Sequence, residues 1–106
     1  MLIVKKFGGT SVGDKERIFN VARRCAEDFK KGNDVIVVLS AMGKTTDELI
    51  AKAKDINPDP PKRELDMLLT TGEQVSVALM AMAFDTMDIR AVSLEVYQIA
   101  MHTTRV

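Results

Sequence analysis

The stretch KKFGGTSVG, residues 5–13, stands between a short apolar run and a charged helical pattern. Residues 2–7 predict a buried strand, because consecutive apolar residues begin there and adjacent glycines end it. From Asp14 apolar residues recur at spacings of three and four, which predicts a helix ending at Gly32 and Asn33. Residues 34–40, DVIVVLS, are typical of a strand in a parallel sheet. Strand, glycine turn, helix and strand together predict a βαβ unit.

The rest of the chain extends this pattern. A shorter helix is predicted from about Thr46 to Asp55, and the proline-rich residues 57–61 indicate a linker. A helical pattern resumes at Lys62, is punctuated by residues 70–72 and runs on through about Asp88; residues 89–94 predict a third strand. The expected fold class is therefore α/β, a parallel sheet sandwiched between helices, incomplete within this single domain of residues 1–106.

The amino-acid composition argues against several classes of protein. Fifteen basic and fifteen acidic residues cancel among 106, so the chain has no basic footprint for nucleic acid or an anionic membrane. The longest apolar stretches fall short of the ~20 residues that span a bilayer, and no secretory leader is recognised at the N-terminus. The single cysteine, Cys25, excludes an intrachain disulfide and fits a reducing compartment. A cytoplasmic protein is expected.

The glycine pair of the opening stretch predicts an anion site. Gly8 and Gly9 follow a parallel strand and precede a helix, so backbone N–H groups and the positive helix end can approach a phosphate, with Lys6 adding a charge. Neither the P-loop spacing nor G-x-G-x-x-G is present. A plain glycine turn therefore remains the alternative. Ser40 ends the second strand and is expected at the same rim, where an ordinary loop is the alternative.

Two Thr-x-x-Glu blocks, Thr45–Glu48 and Thr70–Glu73, have the spacing of a helix capping box. That interpretation suits Glu48. For Glu73 the preceding Gly72 indicates close backbone approach, so Glu73 could instead orient a substrate amino group.

Several other conspicuous residues are expected to have structural rather than catalytic roles. Cys25 is expected in the core, and His102, the only histidine, has no ligand spacing for zinc. The methionine-rich part of the long helix is apolar nearly all round, which indicates burial in the core or against a second subunit; it includes Leu79, Met80, Met82, Phe84 and Met87.

Three blocks in register, Lys6–Val12, Val37–Gly43 and Leu69–Glu73, with Thr45–Leu49 between them, resemble the aspartokinases of the amino-acid kinase family. The likeness runs from about Met1 to Arg90 and continues less closely to Thr104. The resemblance implies a parallel αβα fold and transfer of the ATP γ-phosphoryl group to the side-chain carboxylate of L-aspartate, the first step toward lysine, threonine and methionine. It also implies Mg²⁺ and a homo-oligomer.

The resemblance further implies residue roles. ATP phosphates would be held by Lys6, Phe7, Gly8, Gly9 and Ser40, with Phe7 expected mainly to pack. Aspartate would be bound by Lys44, Thr45, Thr46, Asp47, Glu48 and Glu73. Lys6 and Glu73 would take part in catalysis. No metal ligand is assigned in this chain, and Glu95 and Val96 depart from the residues common in the family.

The alternatives are another amino-acid kinase, acting on glutamate, acetylglutamate or a nucleotide, and a non-catalytic oligomerisation or regulatory fragment. The chain resembles only the N-terminal part of a kinase domain, so the 106 residues alone are expected to have little or no kinase activity.

Overall fold

The computed structural model describes residues 1–95 and 98–101. The elements follow in the order β1 (Leu2–Phe7), a 3₁₀ turn (Gly9–Val12), α1 (Lys15–Lys30), β2 (Asp34–Leu39), α2 (Gly43–Ile56), α3 (Lys62–Asp85), β3 (Val92–Glu95) and β4 (Gln98–Met101). The predictions that fall on Val96, Tyr97 and residues 102–106, His102 included, lie outside the described residues.

The sheet has the strand order β1-β2-β4-β3. β1 and β2 are parallel, with Leu2 opposite Asp34 and Phe7 opposite Leu39, which confirms the predicted βαβ unit. β4 was not predicted; it pairs antiparallel with both β2 and β3. The described sheet is therefore mixed, with its parallel part formed by the two strands that the sequence indicated most clearly.

The boundaries of α1 follow from its end residues. The Asp14 side chain accepts a hydrogen bond of 2.8 Å from the backbone N–H of Arg17, which caps the helix. At the other end Gly32 has a φ of 95°, the left-handed conformation that glycine adopts without strain. Both ends agree with the sequence prediction.

Two predictions about the later helices are wrong. α2 begins at Gly43 rather than Thr46, and no side chain caps it, so Thr45 and Glu48 do not form a capping box. α3 runs unbroken from Lys62 to Asp85, so residues 70–72 neither punctuate nor cap it. The hydroxyls of Thr70 and Thr71 instead donate to backbone carbonyls three residues earlier in the same helix.

The core lies between the sheet and one layer of helices. Val35, Val37 and Leu39 of β2 are buried against α1 and α3, together with Cys25, Met80 and Phe84, as expected for these last three. The opposite face of β1 is open, with Leu2 and Val4 each 60% exposed, so the prediction that this strand is buried is wrong for that face in the described part of the chain. The described helices thus supply one of the two layers of the expected sandwich.

By length and composition alone, α3 could cross a membrane, and a third of its most apolar window is buried inside the protein. The same test is passed by core helices of soluble proteins. Since α3 contributes Val77, Met80 and Phe84 to the core, its apolar character has a structural role in this domain.

Candidate functional site

The carboxyl ends of β1 and β2 lie side by side. Past the last paired residues, the N–H of Ser40 donates to the carbonyl oxygen of Phe7 at 3.2 Å. The turn at Gly8 and Gly9 and the loop of residues 40–42 therefore leave the sheet at the same rim. This confirms the predicted placement of Ser40 beside the glycine turn.

Gly9 is a glycine because the protein's own backbone comes too close for anything larger. A Cβ at this position would lie 2.6 Å from the carbonyl oxygen of Ala41 and 2.9 Å from the nitrogen of Gly43. Neither atom belongs to a side chain that could rotate away. The second glycine of the pair is thus needed to join the turn to the β2–α2 loop.

Gly8 is different, because no heavy atom lies within 4 Å of the position that a Cβ would occupy. Its φ of −79° and ψ of 177° are ordinary for an L-residue. The fold therefore does not require glycine at position 8. The open space beside the exposed Gly8 is where an anion could approach the backbone without meeting a Cβ.

Gly72 brings the third motif to the same loop. A Cβ on Gly72 would lie 2.9 Å from the Cβ of Ala41 and 3.4 Å from Cγ2 of Thr45. Ala41 is therefore held between Gly9 on one side and Gly72 on the other. The three blocks of sequence meet at this alanine, and the half-buried Glu73 follows directly on the contact.

Lys6 lies at the rim, but it faces away from α1. Lys5 and Phe7 point toward α1, since Lys5 pairs with Asp28 at 2.5 Å and the Phe7 ring lies 5.9 Å below the guanidinium of Arg24. Alternation along the strand places Lys6 on the open face with Leu2 and Val4. Within residues 1–95 and 98–101 the exposed Lys6 ammonium forms no ion pair.

This alternation restricts how Lys6 and Glu73 can cooperate. Glu73 belongs to α3, and α3 packs on the opposite face of the sheet from Lys6. A ligand that contacts both residues must therefore lie over the ends of the strands, beyond Phe7 and Leu39, where the two faces of the sheet meet. The rim formed by Gly8 and Ser40 is at that place.

The predicted aspartate-binding residues are in the first turns of α2. Thr45 and Thr46 are half-buried, and their backbone N–H groups donate to the Met42 carbonyl at 3.0 and 3.3 Å. The charged Lys44, Asp47 and Glu48 are exposed. The N-terminal end of α2 and the Lys44 ammonium together favour an anion such as a carboxylate.

The Phe7 side chain packs against the core, as expected, so it could contribute only backbone atoms to a phosphate site. No three carboxylate, thiol or imidazole groups of the described residues lie close enough to hold a metal ion.

Burial raises the pKa of the Cys25 thiol to about 11, with the Asp28 carboxylate adding to the effect and Lys5 and Arg24 opposing it. This thiol lies in the core, away from the rim.

Sequence reasoning missed two residues that organise the rim. Ala41 is the common contact of two glycines, and only a small residue fits there. Arg17 donates from Nη1 to the Thr10 carbonyl at 3.0 Å and so holds the 3₁₀ turn against α1. The signal for Ala41 was its small size within a loop between motifs, but no local pattern indicates what such a residue contacts.

Comparison with known proteins gives one consistent result. Residues 1–106 match the amino acid kinase family. The chain is 61% identical over 102 residues to an aspartokinase of Bacillus sp. (strain MGA3) and 60% identical to one of Geobacillus stearothermophilus, covering 96% of this chain and 25% of each relative. It is similar to the crystal structure of aspartate kinase from Synechocystis with a TM-score of 0.85 and 55% identity, covering 89% of this chain and 16% of that one. The chain thus spans about a quarter of the length of these curated relatives.

Proposed function

Since the chain belongs to the amino acid kinase family, we propose that the protein containing it transfers the γ-phosphoryl group of ATP to the side-chain carboxylate of L-aspartate. The product would be 4-phospho-L-aspartate, used for lysine, threonine and methionine synthesis in the cytoplasm. The aspartokinase relatives, 52–61% identical, support this choice of substrate. The observation that carries the proposal is the meeting of the three motifs at Ala41, with the space beside Gly8 left open.

The chemistry suits these groups. A carboxylate is already ionised at neutral pH, so the nucleophile needs no general base. The main obstacle is the approach of one anion to another, and positive charge placed around the transferring group lowers that barrier. In this proposal Lys6 and the backbone N–H groups of Gly8, Gly9 and the Ser40 loop hold the phosphates. Phe7 contributes backbone only.

The acceptor would lie on the other side of the rim. Here the first turns of α2, Lys44 to Glu48, surround the aspartate, and the half-buried Thr46 provides a hydroxyl. Glu73 would bind the amino group, because its carboxylate complements an ammonium ion. The contact of Gly72 with Ala41 supports this arrangement, because it would keep the proposed acceptor site next to the proposed phosphate site.

Magnesium is expected from the chemistry of ATP, but the described residues do not assemble a carboxylate site for it. A metal that accompanies ATP is held largely by the phosphates and water. We therefore assign no residue of this segment to Mg²⁺ and derive no step through it.

The phosphate site is tested by titrating Mg·ATP into the natural polypeptide that contains this segment, with calorimetric detection. Lys6→Ala is expected to weaken binding about tenfold or more, because it removes a full charge from the phosphate site. Lys30→Ala, an exposed lysine in the last turn of α1, is the matched control and should bind as the wild type does. Equal affinity of both variants would contradict the proposed site.

The Gly8→Ala substitution tests nucleotide binding without disturbing the fold. Since no atom lies within 4 Å of the added methyl group, the fold should tolerate it. If phosphate approaches the backbone at this position, Mg·ATP affinity should still fall. Unchanged affinity would show that the glycine turn does not hold a nucleotide.

The substrate is tested by coupled ADP release with aspartate, glutamate and acetylglutamate in turn. Turnover with aspartate alone is expected, and a preference for another acceptor would favour the corresponding amino-acid kinase. The 106-residue segment assayed by itself should show no turnover. A protein that binds no nucleotide at all would instead be the oligomerisation or regulatory fragment.

A further inference from the structure

Gly72 is a point of close approach between α3 and the segment that leads into α2. A Cβ on this buried glycine would lie 2.9 Å from the Cβ of Ala41. It would also lie 3.4 Å from Cγ2 of Thr45 and 3.7 Å from Cδ1 of Leu49. Since Thr45 and Leu49 are one turn apart on the same side of α2, the glycine lets the two helices pack closely. A side chain at position 72 would have to push them apart.

The two sides of the proposed acceptor site are attached to this contact. Glu73 directly follows Gly72 in α3, and Thr46 directly follows Thr45 in α2. Because the backbone of a helix is held by its own hydrogen bonds, a residue next to a contact moves with it. The closeness of the helices at Gly72 therefore sets the distance between the backbones of Glu73 and Thr46, one on each side of the acceptor.

A gap of fixed width selects an acceptor by its length. Aspartate and glutamate carry the same charged groups, and glutamate is longer by one methylene. Binding pockets distinguish ligands that differ by one methylene by roughly 10–200-fold. Within the proposed site both acceptors would meet the same nucleotide and the same charges, so the width of the gap is the property that separates them.

We propose that Gly72 is a positioning residue that, by having no side chain, keeps the acceptor site narrow and so sets its preference for aspartate over glutamate. The inference rests on the proposed function. A methyl group at position 72 would need about 0.5 Å more room to reach the ordinary contact distance of 3.4 Å from the Cβ of Ala41. Neither Cβ can rotate away, so the two backbones must separate, which carries Glu73 away from Thr46.

The test is steady-state ADP release by the natural polypeptide that contains this segment, with aspartate and glutamate as acceptors. Gly72→Ala is expected to lower the ratio of kcat/KM for aspartate to kcat/KM for glutamate by about tenfold. A change in folding or in nucleotide binding would affect both acceptors equally and leave this ratio unchanged. Alanine is the better helix former, so the substitution does not weaken α3 itself.

Gly13→Ala is the matched control. A Cβ at Gly13 would make only ordinary contacts, the nearest at 3.5 Å from the Thr10 carbonyl oxygen, and Gly13 lies outside the three motifs. Its φ of −72° and ψ of −19° suit alanine. The acceptor preference of this variant should equal that of the wild type.

Ala41→Gly provides a rescue, because it removes the atom that the new methyl group meets. Gly72→Ala combined with Ala41→Gly should regain most of the preference for aspartate, and this double variant also decides the result if Gly72→Ala alone does not fold. A Gly72→Ala protein with the wild-type ratio, or a folded double variant that lacks the preference, overturns the inference. A wild type without aspartate-dependent turnover would instead contradict the proposed function.

Discussion

Replacing Gly9 by alanine tests the contact on which the site depends. The added Cβ would be placed 2.6 Å from the Ala41 carbonyl oxygen, whereas ordinary contacts begin at 3.4 Å. Since the obstacle is backbone, the β2–α2 loop or the glycine turn must shift by about 0.8 Å to relieve it. We expect this overpacking to cost about 1–3 kcal/mol of the free energy of unfolding.

The adjacent glycine provides the control. Gly8 has an extended backbone conformation that alanine adopts readily, and the added methyl group meets nothing. Gly8→Ala should therefore raise the free energy of unfolding by about 0.4–1 kcal/mol, because it restricts the unfolded chain. The two substitutions are chemically identical and adjacent in sequence, yet they are expected to act with opposite signs.

The assay is urea unfolding of the two variants and the wild type, followed by circular dichroism, with thermal melting as a second measurement. In a domain of about 100 residues each kcal/mol moves the melting temperature by roughly 4–8 °C. Gly9→Ala should melt below the wild type and Gly8→Ala at or above it. If Gly9→Ala is as stable as Gly8→Ala, the glycine turn does not contact the loop as described.

Three further changes test the α1 layer. Lys5→Ala should lower stability by about 1–3 kcal/mol, because it leaves the half-buried carboxylate of Asp28 without its ion-pair partner, and Lys5→Arg should restore most of the loss in urea unfolding. Asp14→Ala should cost about 0.5–2 kcal/mol through the lost cap on Arg17 N–H, while Asp14→Asn should stay close to the wild type in the same assay. The pKa of the Cys25 thiol is raised to about 11 in the folded protein. Because the unfolded chain loses this proton from pH 9 upward, before the folded protein does, the free energy of unfolding should fall between pH 9 and 11. Cys25→Ala should have a shallower decline over that range, and parallel pH profiles of the two proteins would contradict the raised pKa.

The sequence was most informative where local pattern and tertiary environment agree. The strand at residues 2–7 and the helix after Asp14 were predicted almost to the residue, because an apolar run, a capping aspartate and a left-handed glycine act within a few residues. The meeting of the glycine turn with Ser40 followed from the parallel pairing of two consecutive strands.

The incorrect predictions concern features that are determined by tertiary packing rather than by the local sequence. Residues 70–72 were predicted to interrupt the helix, yet α3 continues through them. The close backbone approach predicted at Gly72 is confirmed, because a side chain there would collide with Ala41. The cost of glycine within a helix, about 1 kcal/mol relative to alanine, is compatible with a contact of this closeness. β4 was also missed, since a strand of four residues carries too little periodicity to be recognised.

The orientation of Lys6 could be predicted only in part. Its position at the end of β1 was correct, but a run of two lysines does not reveal which one faces α1. The structure assigns Lys5 to the ion pair with Asp28 and leaves Lys6 for the rim. The roles of the substrate-binding residues depend on parts of the polypeptide that complete the rim, so they stay predictions.

The unbroken course of α3 has a mechanical consequence. Gly72 contacts Ala41 of the β2–α2 loop, and the exposed Val75 follows three residues later in the same helix. A tilt of the helix that moves Val75 must also displace Ala41, because no flexible side chain at Gly72 can absorb the motion. A ligand or partner that shifted α3 at this point would therefore also shift the β2–α2 loop that contacts Gly9.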